Sequence, residues 1–437
     1  MSPVLPILMI FLLLNAINVV IYCFLVTPFS VTIQNLQRAI RETLNANGIA
    51  PNEEINYKID GKDRFEWYSK MRKEGLKGRK PSAIDGDILM LSAYEYDAEY
   101  SISIINFYRM GAIVYCRYFD ESGSEILPAF QSYNYPDYVV NCRKRSGTKR
   151  LSLSALPTSN YVYPISPVDR TKKEYKHELS LCMAPIYGNE PKWLMLAELV
   201  EHYKLQGVTH FYFYVFHIDE YSNNLLIDYV RTGEATIINF MQKTDRDVVE
   251  WQMIGIRDCT LRTRYESKWS IFADLDERLL MTKYPGRLID YVRGVTDPKI
   301  ATIVFRQQWV LKTELMPDKY QGDRQIDEWS PTLRWHNSTS IAPSGYAAKC
   351  VIRSEGVFSM WVHYPYIHYP GYKLHRLTQD EGVVRHFRDV RMGEWGAKWL
   401  HQILVFGPMS MTDYPAKYQR NLTDAVKKRL KYLYGKL

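Results

Sequence analysis

Between residues 176 and 276, short β-rich runs alternate with stretches of helical periodicity, and this alternation restricts the fold more than any other feature of the chain. Residues 179–184 are mostly apolar and stop at Pro185, after which G-N-E-P (188–191) turns the chain. Trp193, Leu196, Ala197, Val200 and Tyr203 then recur at helical spacing as far as Gly207. The run V-T-H-F-Y-F-Y-V-F (208–216) is β-rich. A helical stretch at 225–230, a strand at 236–240, a helix at 249–264 and the strand leading to Asp274 follow. Strands alternating with helices predict an α/β fold with a mostly parallel sheet covered on both faces. Upstream, the runs 88–94, 100–108 and 111–118 are separated by short polar or glycine-containing breaks, which predicts a smaller antiparallel β module. No internal repeat interrupts this order.

The last strand of the series reads K-W-S-I-F-A-D-L-D-E-R-L-L (268–280), an apolar run ending abruptly in three acids. Burying such acids without a counter-charge would be costly. Acids at the carboxyl end of a sheet strand fall where open α/β sheets place ligands. Period-two alternation puts Asp274 and Asp276 on one side and Leu275 on the other. Two such carboxylates suit a hard divalent cation, which in turn suits a diphosphate. A helix N-terminus is the competing reading, because acids favour a first turn and Pro285-Gly286 closes the segment soon after.

Residues 4–26 carry no charge, a run long enough to cross a bilayer. A cleaved leader would have a basic start and a small-residue cleavage site, and neither is present, so an uncleaved anchor is predicted. Arg38 and Arg41 follow the span and favour a cytoplasmic body, whereas the acceptor triplets at Asn337 and Asn421 favour a luminal one. Residues 27–84 are polar and charge-mixed, as in a stem. Outside the span the cysteines are Cys116, Cys142, Cys182, Cys259 and Cys350. Their number is odd and none has zinc-site spacing. The net charge of +8 is spread out and brings no nucleic-acid motif with it, so no nucleic-acid partner is expected. The expected segments are an anchor (1–26), a stem (27–84), a β-rich module (85–175), a catalytic domain (176–411) and a basic helical tail (412–437).

Several separated motifs, in order, resemble glycosyltransferase family 92. They are A-P-I-Y-G (184–188), Y-K-L-Q-G-V-T-H-F-Y-F-Y (203–214), R-D-C-T-L-R (257–262), K-W-S-I-F-A-D-L-D-E (268–277), V-H-Y-P (362–365) and R-H-F-R (385–388). The resemblance spans roughly residues 88–400. It implies a GT-A-like nucleotide-sugar fold with flanking helices and a single-pass type II membrane protein with its body in the Golgi lumen. The implied activity is inverting transfer from a UDP-sugar, with galactose moved to a glycan hydroxyl in some members. The chain departs from the family at Arg278, where an apolar residue is usual, and in H-F-R, where the family has H-Y-R.

The resemblance makes Asp276 the direct ligand of Mn²⁺ or Mg²⁺, with Asp274 on a metal-bound water or the ribose. His386 is the late histidine, in competition with His363, His368 and His375. Tyr187 and Gly188 would meet the nucleotide, Asp258 would contribute to the same pocket, and Lys398 would reach the diphosphate. One-step inversion also needs a general base, for which Glu355, Asp380 and Glu381 are candidates. The alternative function is a catalytically silent glycan-binding protein on the same fold. Clustered acids alone would also suit a phosphoesterase, but no second acid-and-histidine cluster for a two-metal site is evident.

Overall fold

The computed structural model describes residues 61–78, 88–105, 110–240, 247–391 and 398–435, all within one compact unit, Lys58–Leu437. The expected anchor and most of the expected stem lie outside the described residues. Among the described residues, no helix is long and apolar enough to cross a membrane.

The described part of the stem differs from expectation. Its helix α1 (Gly61–Gly75) packs on the body instead of forming a solvated spacer. Tyr68 is buried among Tyr135, Phe358 and Tyr369, and the Trp67 ring meets Phe358 edge-on at 5.1 Å. Mixed charge hid two aromatic anchors that together make a docking face. Tyr68→Ala is expected to destabilise the body by about 3 kcal/mol, as truncation of a buried aromatic does, measurable as a lowered thermal midpoint.

The β module follows as β1 (Met90–Glu95), β2 (Glu99–Ile104), β3 (Ile113–Phe119), β4 (Phe130–Tyr133), β5 (Val139–Arg143), β6 (Arg150–Ser154) and β7 (Val168–Asp169). Sheets β5-β2-β1-β7 and β4-β3-β6 share one core, in which Ile102, Ile104 and Val140 of the first meet Val114 and Leu153 of the second. The Cys116–Cys142 disulfide ties β3 to β5 across that core.

The larger sheet begins with β8 (His177–Ile186), β9 (His210–Val215), β10 (Ala235–Asn239) and β11 (Ser267–Ala273). All three pairings are parallel, in the spatial order β10-β9-β8-β11. The chain steps outward from β8 through β9 to β10 and then returns to the other side of β8 as β11. The carboxyl ends of β8 and β11 therefore flank a topological switch point, the place where such sheets leave a crevice. Between the strands run α2 (Trp193–Leu205), α3 (Glu220–Arg231) and α4 (Val248–Thr263). Leu179, Leu181 and Met183 face the core shared with α2 and α3, while Cys182 faces α4 and is bonded to its Cys259.

Beyond β11 the sheet is mixed, which corrects the expectation of a mostly parallel one. The further strands are β12 (Glu277–Met281), β13 (Ile300–Lys312), β14 (Asn337–Ser338), β15 (Lys349–Ile352), β16 (Val357–Ser359), β17 (Ile367–His368), β18 (Lys373–Arg376), β19 (Gly382–Asp389) and β20 (Ser410–Met411). Of these, β16 and β17 form a separate pair. Strand β15 runs antiparallel to both β11 and β13, and β12 antiparallel to β19, which lies parallel to β13. The helices between β12 and β14 (Leu288–Arg293, Asp323–Trp329 and Pro331–Arg334) are short, and the antiparallel pairs do not follow the strand–helix–parallel-strand order that fixes direction upstream.

The expected basic tail is part of the core. Helix α5 (Ala416–Tyr434) buries Leu422, Val426, Leu430 and Tyr434, and its Arg429 pairs with Asp228 at 2.6 Å and with Glu234. The four-residue spacing of those apolar residues forms a single stripe. Lys427 pairs with Asp327, so two of its basic residues answer acids of the body.

Candidate active site

Asp274, Leu275 and Asp276 form a turn between β11 and β12, not the start of a helix. The Glu277 amide donates to the Asp274 carbonyl at 3.1 Å. Asp274 and Asp276 keep 30% and 28% side-chain exposure, so both reach the crevice, whereas Glu277 is sealed at 1%. Glu277 organises the loop from beneath. Its carboxylate accepts from the Asp274 amide (2.8 Å), lies 3.2 Å from the Lys349 ammonium and lies 3.2 Å from Nδ1 of His386.

Lys349, at the start of β15, supplies the counter-charge that three clustered acids require. Its Nζ lies 2.8 Å from Asp274 Oδ1, which also accepts from Gln252 of α4 at 3.3 Å. Burial and the Glu277 charge raise the Asp274 carboxyl above its ordinary range, with Lys349 opposing. Burial would raise Glu277 as well, but Lys349 and His386 outweigh it and hold that carboxyl low.

His386 of β19 sits opposite Glu277 in the β12–β19 register, which delivers its ring to the loop. Nε2 is 3.0 Å from Asp276 Oδ2, and Nδ1 lies against the Gln307 amide at 2.7 Å. Burial lowers the imidazole, but the Asp276 carboxylate outweighs it and carries the pKa up to about 10. The same pairing overcomes burial at Asp276 and holds its carboxyl low.

Among the described residues, no group of three or more histidine, cysteine or acidic side chains is arranged to hold a metal, because Asp274 and Asp276 are turned to Lys349 and His386. The donor chemistry still fits a hard or borderline cation. A carboxylate and an imidazole converge at 3.0 Å, about the separation of neighbouring donors on an octahedral ion with bonds near 2.1 Å. Substrate phosphates commonly complete such a site.

Tyr187 and Gly188 follow β8 at the same crevice. Tyr187 is half-exposed, and its hydroxyl is raised first by burial and then by the charges of Asp276 and Asp274. Arg388 acts on both Tyr187 and Asp276, so the second arginine of R-H-F-R brings positive charge to the cleft. Gly188 has φ +86°, a left-handed conformation that favours glycine, and its carbonyl accepts from His217 Nδ1 and Lys192 Nζ, each at 3.0 Å.

Asp258, the three base candidates and two of the competing histidines lie elsewhere. Asp258 is fully buried in α4, where it accepts from Ser92, Ser103 (2.6 Å) and Tyr214 (2.6 Å) and pairs with Arg262 at 2.9 Å. It fastens α4 to the β module instead of lining the crevice. Glu355 follows β15 at its far end. Ile352 is in register with Ser270, so Glu355 lies near the start of β11, about 20 Å from the acid loop at 3.3 Å per residue. There it accepts from the Tyr175 hydroxyl at 3.1 Å. Asp380 and Glu381 form the turn entering β19, at the opposite end of the β12–β19 pair from His386, with Asp380 bound to Lys283 and Glu381 to Thr378. The structure brings none of the three base candidates to the cleft. His368 bonds Thr302 (2.8 Å) and His375 faces Tyr291 (3.5 Å), both along β18 or β17 and away from the loop. Lys398 is exposed in the short helical stretch ending at Ile403.

The sequence model of glycosyltransferase family 92 matches residues 177–422, more than half of the chain, and this span holds β8, the acid loop and His386. The chain belongs to glycosyltransferase family 92. It is similar to the beta-1,4-galactosyltransferase galt-1 of Caenorhabditis elegans, 25% identical over 202 residues, which is 44% of each chain. The match therefore spans less than half the length of that relative. Among solved structures, the mannosyltransferase PcManGT from Pyrobaculum calidifontis in complex with GDP-Man and Mn²⁺ aligns with a TM-score of 0.29 at 10% identity, over 60% of this chain and 76% of that one. TarS 1-349 from S. aureus aligns with a TM-score of 0.25 at 7% identity, over 59% and 73%. Both likenesses are distant.

Proposed function

We propose that this glycosyltransferase transfers a sugar, galactose first among the candidates, from a UDP-sugar to a glycan hydroxyl with inversion and metal assistance. The observation that carries the reading is the pairing of Asp276 with His386 in the crevice between the carboxyl ends of β8 and β11. Family membership supports the reaction class, and the name of the nematode relative supports galactose.

Asp276 and His386 would hold Mn²⁺ or Mg²⁺, which when bound neutralises charge developing on the leaving diphosphate. Asp274 faces the same crevice beside them. Lys349 and Glu277 keep the loop in shape, and Arg388 adds positive charge where the diphosphate would lie. Tyr187, half-exposed at the end of β8, offers a ring for a uracil base.

Anchoring by residues 4–26 and a luminal Golgi body complete the proposal. Two disulfides suit an oxidising compartment. Asn337 and Asn421 are both exposed, as glycosylation requires.

A screen of nucleotide-sugars with the purified full-length chain tests the reading. Transfer is expected from UDP-galactose above other donors, lost on chelation and restored by Mn²⁺. Turnover indifferent to chelation would remove the metal from the proposal.

A further inference from the structure

His363 lies between β16 and β17, and the reaction outlined above gives it no task. Its Nδ1–H donates to the Ala348 carbonyl at 3.1 Å. Ala348 immediately precedes Lys349, so the imidazole is fastened to the end of β15 that delivers the loop's counter-charge. That bond fixes the tautomer: with the proton on Nδ1, Nε2 is left as a lone-pair acceptor. Among the described residues Nε2 has no partner, and it is not a sealed interior atom. The ring is half-buried, and its bond to Ala348, the neighbour of Lys349, places it beside the strand end that serves the acid loop.

We propose that His363 is the general base of the transfer, accepting the acceptor hydroxyl's proton through Nε2. The inference rests on the glycosyl transfer proposed above and supplies the base that Glu355, Asp380 and Glu381 are too remote to be. In the step, an oxygen lone pair of the acceptor forms the new bond to the anomeric carbon. The bond from that carbon to the β-phosphate oxygen breaks, and its electron pair leaves with UDP. The hydroxyl proton passes to Nε2 and from there to water. Burial and the Lys349 charge push the resting imidazole down to about 4, so it stands neutral with the Nε2 lone pair free. A bound diphosphate adds negative charge to the cleft and raises its basicity when the proton arrives.

The test compares full-length wild type, H363A and H363Q with UDP-galactose and a pool of released N-glycans as acceptor. Both variants are expected to lose about 10²–10³ in kcat, within the usual range for a general base. The KM for UDP-galactose should stay within about threefold, because His363 acts on the acceptor hydroxyl. Added imidazole should restore part of the activity of H363A, which has room for it, and none of that of H363Q. A kcat within threefold of wild type for folded H363Q overturns the inference. So does a loss cured by raising Mn²⁺, which would make His363 a metal ligand. Thermal melting of H363Q guards against a folding artefact in H363A. Wild type inert toward every nucleotide-sugar instead sinks the glycosyltransferase mechanism, and the inference falls with it.

Discussion

Asp276→Asn is expected to cut sugar transfer about a thousandfold while leaving the fold intact. The substitution keeps the shape of the side chain and removes its charge. The backbone of the turn is unaffected, because the Asp276 carbonyl accepts from the Phe387 amide (2.8 Å) whatever the side chain. His386 retains Glu277, 3.2 Å from Nδ1, so its charge is not stranded in the interior. The loss should therefore fall on chemistry: a carboxylate that holds a cation against a leaving diphosphate is worth several kcal/mol, or about a thousandfold in rate. Asp274→Asn should do less to catalysis and more to the loop, because it removes one of the two acids that hold Lys349. Initial rates across a Mn²⁺ titration separate the two effects. A D276N chain working within tenfold of wild type at saturating Mn²⁺ would show that Asp276 is not the ligand.

The contrast between Asp276 and Lys349 shows where the sequence was legible. Asp274 and Asp276 stood out because an apolar strand ended on them, and a strand end is a local signal. Their need for a counter-charge was legible too, but not which of 56 lysines and arginines would supply it. Lys349 is 73 residues beyond Asp276 and reaches the loop only through the β11–β15 pairing. His386 could be named because a motif marked it, and its placement follows from a register no sequence displays. The base candidates misled for the opposite reason. Acids in Q-D-E-G look available, yet the β12–β19 register carries that turn to the far end of the strands. The α/β alternation was readable because α2 and α4 repeat apolar residues at helical period. After residue 300 only short helices separate the strands and parallel and antiparallel pairings are mixed, so nothing in the strand order announces direction.

Arg278 is expected to produce the largest loss of stability. It is wholly buried directly behind the acid loop, and so is Glu198 of α2, its partner at 3.5 Å. Its guanidinium donates to the Leu275 carbonyl (2.8 Å), the Glu277 carbonyl (3.1 Å) and the Met195 carbonyl (3.1 Å). Glu198 in turn accepts from the Thr332 amide (3.1 Å) and hydroxyl (2.9 Å). Burial and the guanidinium act on that carboxyl in opposite senses, and burial prevails to raise it. Arg278→Met leaves a buried carboxylate with no cation, and breaking a buried pair in this way costs about 3–5 kcal/mol. Glu198→Leu should cost a similar amount by stranding the guanidinium. The double variant removes both charges, and apolar replacements of similar volume often restore what either single change loses. Its melting temperature should therefore lie above those of both single variants. Activity should not recover with it, because the guanidinium also ties the Leu275 and Glu277 carbonyls on either side of Asp276. Melting and rate measurements on all four chains close the cycle. Full activity in the double variant would mean that Arg278 serves the fold alone, and that the loop between β11 and β12 keeps its shape through Glu277 and Lys349.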